Sequence, residues 1–146
     1  MLELIKAKEK TINILLIEDN QDDVFLIEMA AKECNINGSF VIANNGKTAL
    51  VILEEIMTGK RNPPDMILLD VNLPKVTGLE VLKHIKNGET TCSIPIVVFT
   101  SSDSMADMKY CYENGADLFI RKPNNINGFR EIIQYIKNYC FGNRSF

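Results

Sequence analysis

Met66-Ile67-Leu68-Leu69-Asp70-Val71-Asn72-Leu73-Pro74 is the stretch that decides how the rest of the chain is read. Its apolar residues run without alternation and stop too soon for a helix, which describes a strand covered on both faces. The run breaks off at a carboxylate and then at a proline-marked turn, so Asp70 is delivered at the strand's carboxyl end. In open α/β sheets that edge is where ligands bind and chemistry takes place.

The same grammar repeats on either side. Upstream, Ile12-Asn13-Ile14-Leu15-Leu16-Ile17 is a β-rich run ending in Glu18-Asp19-Asn20. Asn20 suits an N-cap, and Asp22 and Asp23 suit the positive first turn of a helix running to about Cys34, with Val24, Ile27, Ala31 and Cys34 near one face. Asn37-Gly38 turns the chain into a short strand over 39–43, and Asn44-Asn45-Gly46 opens a helix carrying Ala49, Leu50, Ile52, Leu53 and Ile56, which Gly59 ends. Pro63 and Pro64 mark a polar connection into the Met66 run.

Downstream, Leu79, Val81, Leu82 and Ile85 form a helical stripe that Asn87-Gly88 stops. A fourth strand over 94–99 ends in Thr100-Ser101-Ser102, and a helix over 104–114 follows it. Leu118-Phe119-Ile120 leads to Arg121-Lys122-Pro123, and a last helix from about Asn127 to Cys140 presents Phe129, Ile132, Ile133 and Ile136. Five strands alternating with five helices predict an α/β fold: a doubly wound, five-stranded parallel sheet with helices on both faces. The predicted organisation is a leader over 1–11, one domain over 12–140 and a tail over 141–146.

Composition bounds the function. At 146 residues the chain fits one domain of ordinary size, and a net charge of -3 gives no electrostatic reason to expect nucleic acid. Cys34, Cys92, Cys111 and Cys140 show no C-x-x-C spacing and are expected to be reduced and mostly buried, which places the protein in the cytoplasm. The start of the chain lacks the apolar run of a signal peptide or a membrane span, so no membrane partner is expected. His84, the sole histidine, falls on the side of its helix away from Leu82 and Ile85 and is expected to be solvated.

Strands one, three, four and five end in Glu18-Asp19, Asp70, Thr100 and Lys122. At one sheet edge these residues would place three carboxylates, a hydroxyl and an ammonium in a small pocket. Three close acids repel one another unless a cation neutralises them, and a hard divalent ion such as Mg2+, bound by oxygen, suits the set. A carboxylate flanked by magnesium, a lysine and a hydroxyl suits phosphoryl transfer to Asp70, giving an aspartyl phosphate.

Glu18-Asp19, Asp70, Thr100 and Lys122-Pro123 at these spacings resemble the receiver domain of two-component response regulators, and the resemblance covers nearly the whole chain. It implies a flavodoxin-like sheet of strand order 2-1-3-4-5, with Asp70 as phosphoacceptor and Lys122 as the phosphate's partner. It implies Asp19, Asp70 and the Asn72 carbonyl as Mg2+ ligands, with Glu18 supporting the ion. It further implies Thr100 on a phosphate oxygen, and Phe119 as the aromatic that changes rotamer with Thr100. The 58–65 connection, the Asn-Leu-Pro after Asp70 and Ile94-Pro95 look most like stand-alone regulators paired with phytochrome-type or other hybrid sensor kinases. The expected function is therefore a phosphoacceptor switch, not an enzyme, served by a sensor histidine kinase or a phosphotransfer protein.

Two other readings compete. A haloacid-dehalogenase-type phosphatase also forms an aspartyl phosphate, but it needs an acid two residues after the nucleophile, where Asn72 cannot transfer protons. A flavodoxin-type electron carrier fails because Glu18-Asp19 would repel a flavin phosphate. Finally, Tyr135 and Tyr139 lie four residues apart beside the core stripe of the last helix, which predicts a homodimer through the fourth and fifth helices.

Overall fold

Every strand of the computed structural model, which describes residues 12–141, is followed by a helix. The order is β1 Ile12–Ile17, α1 Gln21–Glu33, β2 Gly38–Ala43, α2 Gly46–Met57 and β3 Met66–Leu69, then α3 Gly78–Asn87, β4 Ile96–Thr100, α4 Met105–Glu113, β5 Leu118–Arg121 and α5 Ile126–Phe141. The expected leader, and all of the expected tail except the end of α5, lie outside the described residues.

The five strands form one parallel sheet, as the alternation of strands and helices predicted, in the order β2-β1-β3-β4-β5 that the family resemblance implied. The chain steps outward from β1 to β2 and then back past β1 to β3. With right-handed crossovers this reversal puts α1 on one face and α2, α3 and α4 on the other. Burial follows the strand period of two. Leu15, Ile17, Ile67, Leu69, Ile96 and Val98 face a core built with α2 to α4, whereas Ile14, Leu16, Met66, Leu68, Val97 and Phe99 face a core built with α1 and α5. Each of these buried apolar side chains stabilises the fold by about 1.5–3 kcal/mol. Phe99 and Phe129 meet edge to face at 5.4 Å and tie β4 to α5.

The caps explain why the helices start where they do. Asn20, Asn45, Thr77 and Ser104 each accept a hydrogen bond from the backbone N–H three residues on. Gly59 closes α2 in the left-handed region at φ +79, a conformation that only glycine adopts without strain.

Two expectations need correction. β4 begins at Ile96 instead of position 94, because Pro95 has no N–H to give to a ladder, although its carbonyl still accepts from the Ile67 N–H at 2.9 Å. The cysteines are not mostly core. Cys111 alone is fully buried, Cys34 and Cys140 are half-buried against the α1–α5 core, and Cys92 is exposed because it sits in the turn after α3. Burial, and then the charge of Asp107, push the Cys111 thiol up to about 11, so it stays protonated and inert. Among the described residues no helix is long and apolar enough to cross a membrane.

Candidate functional site

The carboxyl ends of β1 and β3 are neighbours, joined by a hydrogen bond from the Asp70 N–H to the Ile17 carbonyl at 3.0 Å. They therefore deliver Glu18, Asp19 and Asp70 to one place, beside the point where the strand order reverses. One carboxylate oxygen from each of the three lies within 4.8 Å of the other two. Glu18 and Asp70 are buried, and Asp19 stands at the solvent side.

Lys122 reaches the same cluster from the end of β5. Its root is fixed by a backbone hydrogen bond to the Thr100 carbonyl at 2.7 Å. Its ammonium contacts Glu18 Oε1 at 2.5 Å, Asp23 Oδ2 at 2.8 Å and Asp70 Oδ2 at 2.9 Å. An ammonium has three hydrogens, so all three are committed to carboxylates. Asp70's other oxygen, Oδ1, accepts the Asn72 N–H at 2.9 Å, and the Asn72 amide reaches the Ser101 hydroxyl at 3.4 Å. Thr100 is fully buried at the end of β4, and its hydroxyl accepts the Ser102 N–H at 3.2 Å.

These contacts divide the acids. Burial, then the negative charge of Asp70, push the Glu18 carboxyl up to about 8 in spite of Lys122. Burial works in the same direction on Asp70, but the Asn72 N–H, the Lys122 ammonium and the Thr100 hydroxyl outweigh it and hold Asp70 below the usual carboxylate range. Burial also opposes the charge on Lys122, and its bonds to Asp23 and Glu18 and the charge of Asp70 more than offset this, so its pKa rises. The surroundings thus favour Asp70 as a carboxylate and Lys122 as a cation, and make Glu18 the acid of the cluster that gives up its proton least readily. An oxygen-only donor set burdened with surplus negative charge fits a hard divalent cation, with Glu18, Asp19 and Asp70 as the side chains able to hold it.

The structure brings together every strand-end residue that the sequence singled out. Phe119 lies apart from the acids, half-buried on the α2–α4 side, with its N–H donated to the Tyr112 hydroxyl at 3.0 Å. It pairs in register with Val98, and Thr100 pairs with Arg121, so Phe119 and Thr100 share one face of adjacent strands. His84 is exposed, as expected. Sequence reading missed Asp23, which it took only for a helix-start charge. Its position three residues after the Asn20 cap gave no sign of a partner 99 residues away.

Fold and edge cluster together define a protein of two-component signalling. The chain belongs to the response regulator receiver domain family, whose profile matches residues 14–134. It is 38% identical over 144 residues to the probable methanogenesis regulatory protein FilR2 of Methanothrix harundinacea, covering 98% of this chain and 92% of that one. It is 33% identical over 127 residues to the response regulator Rcp1 of Synechocystis, covering 86% of each chain. The crystal structure of the phosphorylated cyanobacterial phytochrome response regulator RcpA superposes with a TM-score of 0.85 at 31% identity, over 93% of this chain and 98% of that one. The Mn2+-bound form of Rcp1 superposes with a TM-score of 0.82 at 30% identity, over 92% of this chain and 98% of that one.

Proposed function

We propose that the protein is a phosphoacceptor switch in which Asp70 takes a phosphoryl group from a phosphohistidine of a sensor histidine kinase or a phosphotransfer protein. The observation that carries this reading is the environment of Asp70, a buried acid at the strand edge hydrogen-bonded to Lys122 beside two further acids. In the transfer an Asp70 oxygen attacks phosphorus and an O–P bond forms. The N–P bond to the donor imidazole breaks, and the released ring nitrogen takes a proton. The residues position the reacting oxygen and neutralise charge, which is most of what phosphoryl transfer asks of a protein.

Glu18, Asp19 and Asp70, with the Asn72 carbonyl, are the residues that would hold Mg2+, and the ion would supply charge neutralisation on the phosphoryl oxygens. The Mn2+-bound form of the similar Rcp1 supports a divalent ion. Lys122 turns a hydrogen to the phosphoryl group, the Thr100 hydroxyl donates to another of its oxygens, and Phe119 repacks on the face that it shares with Thr100. The altered surface on β4, α4, β5 and α5 then meets a partner.

The likeness to RcpA, a cyanobacterial phytochrome response regulator, supports a phytochrome-like or hybrid kinase as the source. Self-association through α4 and α5 belongs to the same reading, supported by Tyr135 and Tyr139, which are 54% and 50% exposed and stacked at 6.4 Å. The place of action is the cytoplasm, without nucleic acid or membrane as partner and without turnover of a substrate beyond gain and loss of the phosphoryl group. Nothing supports a phosphatase, since Asn72 stands where that chemistry needs an acid.

Incubation with acetyl phosphate and Mg2+, followed by intact mass measurement, tests the reading. One added phosphoryl group in the wild type, absent from Asp70→Asn and from samples treated with chelator, is the expected result. Equal labelling of Asp70→Asn would overturn it.

A further inference from the structure

Among the described residues Lys122 is the one cation that reaches the acid cluster, and its long, flexible stem has to be held if the ammonium is to face Asp70 when a phosphoryl group arrives. Three carboxylates hold it, from three different elements. Glu18 comes from the end of β1 and Asp70 from the end of β3, whereas Asp23 comes from the first turn of α1. Glu18 and Asp70 are also members of the acid cluster, so their oxygens have other charge to meet. Asp23 stands outside that cluster, and its bond to the ammonium is not shared with it.

Asp23 is itself well anchored. Its N–H donates to the Asn20 side chain at 3.0 Å, so the residue sits at a fixed point of a capped helix, with its side chain 22% exposed. Its neighbour Asp22, in the same turn, is exposed and makes no bond to Lys122.

We propose that Asp23 is a positioning residue for phosphoryl chemistry at Asp70, acting through Lys122: it keeps one ammonium hydrogen from α1 so that the others stay aimed at Asp70 and at the phosphoryl oxygens. The proposal rests on Asp70 being the phosphoacceptor. It also makes α1 part of the site, so that the start of this helix is tied to the end of β5 across the sheet edge. When the Asp70 carboxylate becomes an acyl phosphate, the lysine hydrogen that it held turns to a phosphoryl oxygen, and the Asp23 bond is the hinge about which the ammonium turns.

A double-mutant cycle separates this role from a helix-capping or long-range charge effect. Asp23→Asn should slow labelling by acetyl phosphate about fivefold to tenfold, the size expected when a charge-assisted hydrogen bond is weakened to a neutral one. In the Lys122→Ala background the same substitution should change the rate less than twofold. Asp22→Asn, which removes the same charge from the same turn, should leave the wild-type rate unchanged. Hydrogen exchange at the Lys122 ammonium, followed by NMR without any phosphodonor, should quicken in Asp23→Asn and not in Asp22→Asn.

An equal slowing in both lysine backgrounds, an equal effect of Asp22→Asn, or unchanged ammonium exchange would overturn the proposal while leaving Asp70 as the acceptor. Failure of the wild type to label at all would instead remove the phosphoacceptor reading, and this inference with it.

Discussion

The Lys122 ammonium stands 2.9 Å from Asp70 Oδ2, although the two residues end strands, β5 and β3, that are separated by β4. The lysine therefore spans the width of β4's end, and its backbone N–H is fastened to Thr100 on the way. Three strand ends are thus joined by one residue, and any change in charge at Asp70 is felt at β5.

Removing the ammonium tests that connection. Lys122→Ala leaves Glu18, Asp23 and Asp70 facing one another without a cation, which should lower the stability of the metal-free protein by about 1–3 kcal/mol, less than the loss of a fully enclosed pair because the site can rehydrate at the edge. Denaturant unfolding in chelator measures it, and added Mg2+ should recover part of the loss. Some phosphorylation should persist in the variant, but amide exchange in β4 and β5 should respond to phosphorylation less than in the wild type.

Glu18 gives the metal-free protein a pH dependence of definite sign. Its carboxyl is raised in the folded state to about 8 from an ordinary 4.5. Below the ordinary value both folded and unfolded chains hold the proton and the site suffers no penalty. As pH rises from about 4.5 through about 8 that advantage is lost, so stability from this group declines across the window. Asp70, held low, contributes stability above its ordinary value that is lost only in more acidic solution, below the window in which Glu18 titrates. Melting temperature against pH in chelator should therefore fall for the wild type relative to Glu18→Gln between these values, and Mg2+ should flatten the difference. A parallel pair of curves would contradict the account.

Close packing behind the acid is a separate requirement. A Cβ built on Gly78 would lie 2.2 Å from the Asp70 carbonyl oxygen and 2.4 Å from Val71 Cα, both backbone atoms that move only at a cost. Gly78→Ala should cost about 1–3 kcal/mol and should also slow phosphorylation, because the backbone that must shift carries Asp70. Urea unfolding together with labelling kinetics reads both effects.

The stacked tyrosines of α5 offer a surface test. Sedimentation of wild type and a Tyr135→Glu, Tyr139→Glu double variant, with and without phosphodonor, should show a dimer that the two charges weaken by about tenfold or more. A wild type that stays monomeric in every condition would remove self-association from the proposal.

The strand-end cluster was legible in the sequence because each buried strand is an unbroken apolar run, and a polar residue closing such a run is conspicuous. Glu18, Asp70 and Thr100 announced themselves in this way, and Asn20 and Asn45 announced the helices that follow two of the strands. Asp23 did not, since an acid in the first turn of a helix already has a sufficient local reason to be there. Its contact with Lys122 exists only once α1 and β5 are folded against the same edge. The exposure of Cys92 was hidden for a similar reason: thiol burial depends on which way a turn faces, and a turn has no periodicity to reveal it.

Borohydride reduction of the phosphorylated protein, followed by peptide mapping, identifies the acceptor residue, because an acyl phosphate is reduced to the alcohol and leaves a permanent mark on the residue that carried it. After treatment with acetyl phosphate and Mg2+, homoserine is expected at position 70 and unmodified acids at Glu18, Asp19 and Asp23. Reduction at any of those three, or labelling that survives without reduction at position 70, would contradict Asp70 as the acceptor.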